Sequence, residues 1–354
     1  AGSTEPLSAI EWLSRSVEPA IQPEAPITNT AQTPDVTVTT LERPSKDPIG
    51  LLPSSLTGIP RSVWAASDEA ALVDLVRAER LDTLPALREF FKVLLLAEAN
   101  PPRGEGLDGA LFLARVDKLL DLGALEPAKS LIEQAAPDTL PLFRRWFDVA
   151  LLTGTEDDAC TEMRRTPSIA PTYSARIFCL ARNGDWAAAA LTLNTHRVLG
   201  DITLEEEALL SRFLDPELFE GEPALPPPSR VSPLTFRMHE AIGEPLITAT
   251  LPLAFSHADL RFTTAWKSQL EAAERLARYG AVSENVLLKH YTARTPAASG
   301  GIWDRAEAIQ RFDVAMTARD PRGVSATLPN AWAAMQAARA EIQFAALYGD
   351  TLQD

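Results

Sequence analysis

The sequence predicts an all-α fold, an α-solenoid of helix-turn-helix repeats that follows an extended N-terminal segment rich in proline and threonine. From about residue 64 the apolar residues recur at steps of three and four, which is the spacing of one face of a helix. No long alternation of apolar and polar residues follows. A helix-glycine-helix pattern recurs instead, with 31 residues from Gly123 to Gly154 and 30 from Gly154 to Gly184.

The composition is that of a folded globular chain and excludes several kinds of partner. Of the 354 residues, 46% are hydrophobic and 23% are charged. The net charge of -15 argues against nucleic acid and anionic membranes, because both require clustered lysine and arginine. The apolar run at residues 93–97 is far shorter than the ~20 residues of a membrane-spanning helix. We expect no nucleic-acid partner and no integral membrane segment.

Residues 1–60 differ from the rest of the chain in composition. A short helix is predicted near residues 8–17, where Ile10, Trp12 and Leu13 supply apolar side chains. Seven prolines between positions 19 and 53 exclude a longer helix, and too few apolar residues remain for a core. The segment is either a linker or a docking element, and in the second case Ile10, Trp12 and Leu13 contact the partner.

The first helical region covers residues 61–220. Its first helix has Asp68 as N-cap and Glu69 in the first turn, where a negative charge is favourable. A second helix begins near Thr83, with Pro85 in its first turn, and ends before Asn100. Further along, we expect Gly123, Gly154 and Gly184 to take the left-handed conformation that ends a helix and returns the chain.

Two segments of this region resemble tetratricopeptide-like helical repeats. They read DLGALEPAKSLIEQA from Asp121 and RNGDWAAAALTL from Arg182, and the resemblance extends over residues 107–214. The period is shorter than the ~34 residues of that family. The region equally resembles the superhelical domain of bacterial soluble lytic transglycosylases, although the glutamate-serine motif of their catalytic domain is absent. The resemblance implies a superhelix with a surface for protein binding.

A proline-rich spacer at residues 221–233 separates this region from a second helical repeat region, residues 234–354. The prolines exclude a helix and predict an extended chain. In the second region, residues 244–255 are too interrupted by proline for a long helix. Gly280 and Gly349 are interpreted as further helix-glycine-helix turns. Helices are predicted at 233–242, 259–279, 283–293, 303–318 and 330–348.

The two cysteines and the first residue bear on the cellular compartment. Cys160 and Cys179 lie on consecutive predicted helices, so they either form one disulfide or remain two buried thiols. The chain begins with small and polar residues rather than methionine, which is typical of a cleaved signal peptide, although an artificial start leaves the same residues. We therefore expect an exported protein, periplasmic in a bacterium.

No catalytic, cofactor or metal pattern is present in the sequence. The phosphate-binding loop, the nucleophile elbow and the zinc helix are all absent. The four histidines, at positions 196, 239, 257 and 290, are too scattered for a local metal site. The strongest candidate site is Gly300, Gly301 and Trp303, because glycine admits a close approach and tryptophan offers a flat apolar wall. The alternative is a helix-starting turn with Trp303 in the core.

These observations predict a non-catalytic exported scaffold or adaptor that binds a protein partner or assembles with itself. Helical arrays expose long surfaces and carry little chemistry of their own. The alternative is a cell-wall protein, either a peptidoglycan-binding protein or a relative of lytic transglycosylases with a groove near Trp303. No cofactor and no metal are expected.

Overall fold

The computed structural model describes residues 45–80, 82–104 and 109–353. Ile10, Trp12, Leu13 and the helix predicted near residues 8–17 lie outside this part of the chain. Within it there are 17 α-helices and no β-strand. The prediction of an all-α chain is confirmed.

The helices follow one another with short connections. The first nine are α1 Ser54–Thr57, α2 Glu69–Ala78, α3 Pro85–Leu96, α4 Ala110–Asp121, α5 Leu125–Ala135, α6 Leu140–Thr153, α7 Glu156–Arg165, α8 Tyr173–Arg182 and α9 Trp186–Leu199. The other eight are α10 Leu204–Leu214, α11 Pro233–Ala241, α12 Ser256–Asp259, α13 Trp266–Arg278, α14 Glu284–Thr292, α15 Ile302–Thr317, α16 Pro321–Ala338 and α17 Glu341–Gln353.

The first core lies among helices α2 to α6, with fully buried residues such as Leu119 and Leu131. Helix α2 begins at its predicted N-cap, Asp68, whose carboxylate accepts hydrogen bonds from the amides of Ala70 at 3.0 Å and Ala71 at 3.3 Å. These bonds satisfy amide groups that have no partner inside the helix. Local sequence chemistry therefore determines where this helix begins.

Arg115 ties the first core together from inside helix α4. Its side chain is completely buried, and it donates to the carbonyl oxygens of Leu95 at 2.7 Å, Asp47 at 3.0 Å, Ile49 at 2.8 Å and Ala97 at 3.1 Å. Burial lowers the pKa of Arg115 to about 10, so the guanidinium stays protonated at neutral pH. One side chain thus joins α4 to residues 47–49 and to the end of α3.

The glycine turns have the predicted backbone. Gly123, Gly154 and Gly184 have φ angles of 70°, 80° and 85°, and Gly280 has 64°. At Gly123 and Gly184 the amide of the glycine and the amide of the next residue donate to carbonyl oxygens of the preceding helix, in the pattern of a Schellman cap. The prediction that these glycines end helices is confirmed.

The second core lies among helices α6 to α11. Cys160 in α7 and Cys179 in α8 form a disulfide whose Cα atoms are 5.0 Å apart. Phe147 and Phe178 pack edge to face beside it, with ring centroids 6.4 Å apart. The bond and the aromatic contact both join the α6–α7 pair to the α8–α9 pair.

Residues 221–232 are extended, in line with their prolines, and they lie against helix α10. The helices on either side of this segment share a small core. Phe236 of α11 and Phe255 pack edge to face, and both contact the cluster of Leu125, Val149 and Leu152 from α5 and α6. The second helical region therefore begins directly on the first.

Residues 244–257 cover the first glycine turn. They form two short 3-10 turns, Thr248–Thr250 and Leu253–Phe255, as the prolines predict. The Nε2 atom of buried His257 donates to the carbonyl oxygen of Gly123 at 2.7 Å. Arg275 of α13 holds the segment from the other side, by donating to the carbonyls of Thr248 at 2.8 Å and Leu251 at 2.7 Å.

The third core lies among helices α13 to α17 and corrects two sequence predictions. The helix expected over 330–348 is broken at Arg339, which has a φ of 54° and ends α16 without a glycine. The expected turn at Gly349 is wrong, because Gly349 lies inside α17. Phe344 and Tyr348 are buried there, and their packing in the core keeps the helix continuous through the glycine.

Helix α13 begins seven residues later than predicted, at Trp266 rather than at residue 259. The side-chain hydroxyl of Thr264 donates to the carbonyl oxygens of Asp259 at 2.6 Å and Arg261 at 2.8 Å. Threonine that bonds back to the backbone stabilises a turn in place of a helix. The helices expected near 233–242, 283–293 and 303–318 are present as α11, α14 and α15.

Candidate functional site

The sequence-predicted candidate at Gly300, Gly301 and Trp303 forms the start of helix α15. Both glycines have positive φ, and the amide of Gly300 donates to a carboxylate oxygen of Asp304 at 2.8 Å. The Trp303 ring packs on Trp266 with centroids 5.2 Å apart. The adjacent groove, of about 440 Å³, is lined mainly by polar side chains: Asp304, Arg305, Glu307, Arg311, Thr327 and Asn330.

The four histidines lie in four separate environments. Burial lowers the pKa of His257 to about 4, and it also lowers the pKa of His290. The Nδ1 atom of His196 lies 2.8 Å from a carboxylate oxygen of Asp201, and its ring stacks on Tyr173. His239 lines a crevice described below. In the part of the chain that the structure describes, no three acidic, histidine or cysteine side chains form a metal-binding group.

An aromatic pocket opens at the start of helix α9, and we call it the Trp186 pocket. Its volume is about 390 Å³. The side chain of Trp186 is 51% exposed although it is one of the largest apolar side chains in the protein. The other lining residues come from α8, α10 and α11: Phe178, Ala181, Arg182, Phe213, Arg237, Glu240 and Ala241.

The arginines of the Trp186 pocket are held by carboxylates behind it. Glu156 is only 1% exposed and lies 3.3 Å from Arg182 and 2.5 Å from Arg237. Glu240 pairs with Arg237 and, at 2.7 Å, with Arg261. Such a network fixes the guanidinium groups before any partner arrives.

Next to the Trp186 pocket, the outer side of helix α9 carries one charged residue, the exposed Arg197 near its end, which pairs with Glu207 at 3.2 Å. Only Ala189 and Leu193 of this helix are buried. We define the outer α9 face by its exposed residues at helical spacing: Ala187, Ala190, Leu191, Asn194, Thr195 and Val198. Leu191 is 68% exposed and Val198 is 80% exposed. A largely uncharged, partly apolar helix face beside an exposed tryptophan is typical of an interaction surface.

A second cavity, an apolar crevice with converging polar groups, lies at the N-terminal ends of α8 and α10, whereas the Trp186 pocket lies toward their C-terminal ends. Its volume is about 510 Å³, within the range of ligand sites. One wall is the segment Pro226–Pro228, and we call this cavity the strapped crevice. The other lining residues are Thr172, Ser174, Leu204, Glu205, Glu206, Ala208, Leu209, Leu225, Ser229, Ser232, Leu234, Thr235, Met238 and His239.

The proline wall is fastened at both ends by carboxylates. The amide of Leu225 donates to Glu244 at 2.9 Å, and the amide and hydroxyl of Ser229 donate to Glu205 at 2.9 Å and 2.7 Å. The three prolines between them have no N–H group to donate. The wall therefore has no N–H donor between Leu225 and Ser229, and its position depends on the two fastened ends.

Sequence reasoning missed both the Trp186 pocket and the strapped crevice. The prolines at 226–228 were a visible signal, but they were interpreted only as a spacer. Trp186 lies within the repeat-like segment from Arg182, and no separate role was predicted for it. Its exposure depends on how α8, α10 and α11 meet, and that arrangement is not encoded in any one segment.

Comparison with protein-family models, with curated proteins and with solved structures finds no match to this chain. The resemblance to tetratricopeptide-like repeats and to the superhelical domain of lytic transglycosylases therefore stays a prediction from the sequence. In the described ranges, no helix combines the length and the apolar composition needed to cross a membrane.

Proposed function

We propose that this chain is an exported, non-catalytic helical-repeat scaffold that binds a protein partner, or a second copy of itself, through the Trp186 pocket and the outer α9 face. The observation that carries this proposal is the half-exposed Trp186, which shares its pocket with two ion-paired arginines and begins a helix whose outer face is largely uncharged. Export is supported by the disulfide between Cys160 and Cys179, because such bonds persist in oxidising compartments.

The composition of the Trp186 pocket is that of an interface hot spot. Tryptophan and arginine dominate the binding energy of protein interfaces, and they do so in pockets that a partner can fully desolvate. Arg182 and Arg237 are already held by Glu156, so little side-chain entropy is lost when a partner docks. The partner surface that fits best inserts an apolar side chain against Trp186 and lays a second apolar strip along α9.

A comparison of retained proteins tests this proposal. The purified chain is immobilised and exposed to soluble envelope proteins of the source cell, and retained proteins are quantified by mass spectrometry. Trp186→Ala should weaken retention of the specific partner by about tenfold or more. Trp332→Ala is the matched control, because Trp332 is also partly exposed but lies on α16. Equal retention by the wild type and Trp186→Ala contradicts the proposal.

Two further measurements test for self-assembly and for the cell-wall alternative. Light scattering over a range of concentrations detects self-assembly, and Trp186→Ala should then reduce the dimer fraction. Incubation with peptidoglycan sacculi tests the cell-wall alternative. We expect neither retention on the sacculi nor release of soluble fragments, and release of fragments would show an enzyme.

A further inference from the structure

We propose that the strapped crevice is a binding site for a small organic cation, an ammonium group carried on an apolar body. This site lies apart from the Trp186 pocket and shares no lining residue with it. The proposal therefore concerns a second binding activity and does not depend on the partner.

The walls of the crevice select an apolar body. Leu209, Leu234 and Met238 form its inner surface and are buried, and Pro226–Pro228 closes the outer side. The three prolines offer no amide donors and present apolar rings, which suits an apolar ligand body. A cavity of about 510 Å³ with this lining is the size and chemistry of a small-molecule site.

The charge of the crevice selects a cation. Glu205 and Glu206 line it, and there is no lysine or arginine among its lining residues. Neither carboxylate has an ion-pair partner in the described part of the chain, and both are held only by neutral donors. An ammonium group entering here would be the first cation that these two carboxylates meet.

Both carboxylates retain acceptor capacity. A carboxylate offers about four lone-pair sites. Glu205 uses two of them, both on Ser229, and Glu206 uses three, on Ser174 and Thr203. An ammonium group has three N–H donors, so it can bond to the remaining sites without breaking the existing bonds.

His239 completes the polar lining without opposing a cation. It is only 4% exposed. Burial lowers the pKa of His239, so the imidazole is neutral at neutral pH and does not repel an ammonium group. The hydroxyls of Ser174, Ser232 and Thr235 supply further weak acceptors at the same surface.

Methionine NMR gives a test that does not depend on a variant folding correctly. The chain has four methionines, and of these only Met238 lines the crevice. The protein is labelled with ¹³C at the methionine methyl groups and titrated with n-octylammonium chloride, and then with sodium octanoate. We expect octylammonium to move the Met238 methyl signal in a saturable way while Met163, Met316 and Met335 stay in place. Octanoate should move none of them.

Variants then separate the charge from the cavity. Glu206→Gln keeps the N-terminal cap of α10, because glutamine serves in a capping box, and it should weaken octylammonium binding by about tenfold. Ala208→Phe fills the crevice and should abolish the Met238 shift, with a thermal melt to verify folding. The proposal is overturned if Met238 does not respond, if octanoate binds equally well, or if all four methionines respond together.

Discussion

Gly123 and Gly184 occupy equivalent turns with similar positive φ angles, but only Gly123 is enclosed by other residues. A Cβ atom added at Gly123 would lie 3.0 Å from Leu253 and 3.1 Å from Ala281, whereas one added at Gly184 would meet nothing within 4 Å. The enclosure arises because residues 244–257 fold over the first turn. The two positions therefore separate the cost of backbone strain from the cost of crowding.

Replacing each glycine by alanine should show this difference. Gly184→Ala places a side chain in the left-handed conformation and should cost about 1 kcal/mol of unfolding free energy. Gly123→Ala adds the close contact with Leu253 and should cost about 2–3 kcal/mol. Urea denaturation followed by circular dichroism measures both values. Equal losses would show that the covering segment does not pack on Gly123 as the structure describes.

His257 makes the stability of the same region depend on pH. Burial lowers its pKa from 6.5 to about 4 in the folded protein, so the unfolded chain takes up a proton first as the pH falls. The contribution of the neutral side chain is present above pH 6.5 and is lost progressively toward pH 4. Asp47 and Asp148 act in the opposite direction, since burial raises the pKa of each to about 6.

A single variant separates the effect of His257 on the pH dependence of stability from the effects of Asp47 and Asp148. Between pH 7 and pH 5 the wild type should lose about 2 kcal/mol through His257. His257→Gln removes the titrating group and keeps a donor for the carbonyl of Gly123. The free energy of unfolding, measured at both values of pH, should therefore fall more in the wild type than in the variant. Parallel pH profiles would contradict a buried neutral histidine.

At the scale of the elements, the disulfide between Cys160 and Cys179 joins helix α7 to helix α8 across a separation of 19 residues. Cross-linking a loop of this length restricts the unfolded chain and stabilises the fold by about 3 kcal/mol. Reductant should therefore lower the melting temperature of the wild type. The double variant Cys160→Ala/Cys179→Ala should melt at the lower temperature with or without reductant, and a wild type that does not respond to reductant would contradict the bond.

The helices could be predicted from the sequence because the residues that begin and end them act locally. The N-cap at Asp68 and the left-handed glycines at 123, 154 and 184 need only neighbouring residues to act. The break at Arg339 was not accessible, since an arginine takes the left-handed conformation only where packing on both sides requires it. The continuous helix through Gly349 has the same explanation.

The candidate sites depend on the whole molecule and were not accessible in this way. The strapped crevice brings together side chains from Thr172 to His239, and the Trp186 pocket brings together four helices. Arg115 likewise joins the end of α3, at Leu95, to the distant residue Asp47. Each arrangement exists only after the helices have packed, so no periodicity or spacing in the sequence predicts it.

For the molecule as a whole, we propose that α9 and the Trp186 pocket form the docking surface of a scaffold. Site-specific photo-crosslinking in the producing cells tests it most directly. A photoreactive phenylalanine analogue replaces Leu191 on the outer α9 face, and in a control it replaces Leu87, which is exposed on α3.

We expect position 191 to give one discrete adduct with a protein partner or with a second copy of the chain. That adduct should disappear when Trp186→Ala is added, because the pocket anchors the partner. Position 87 should give no such adduct. The absence of an adduct at position 191, or the same adducts from positions 191 and 87, would contradict the claim.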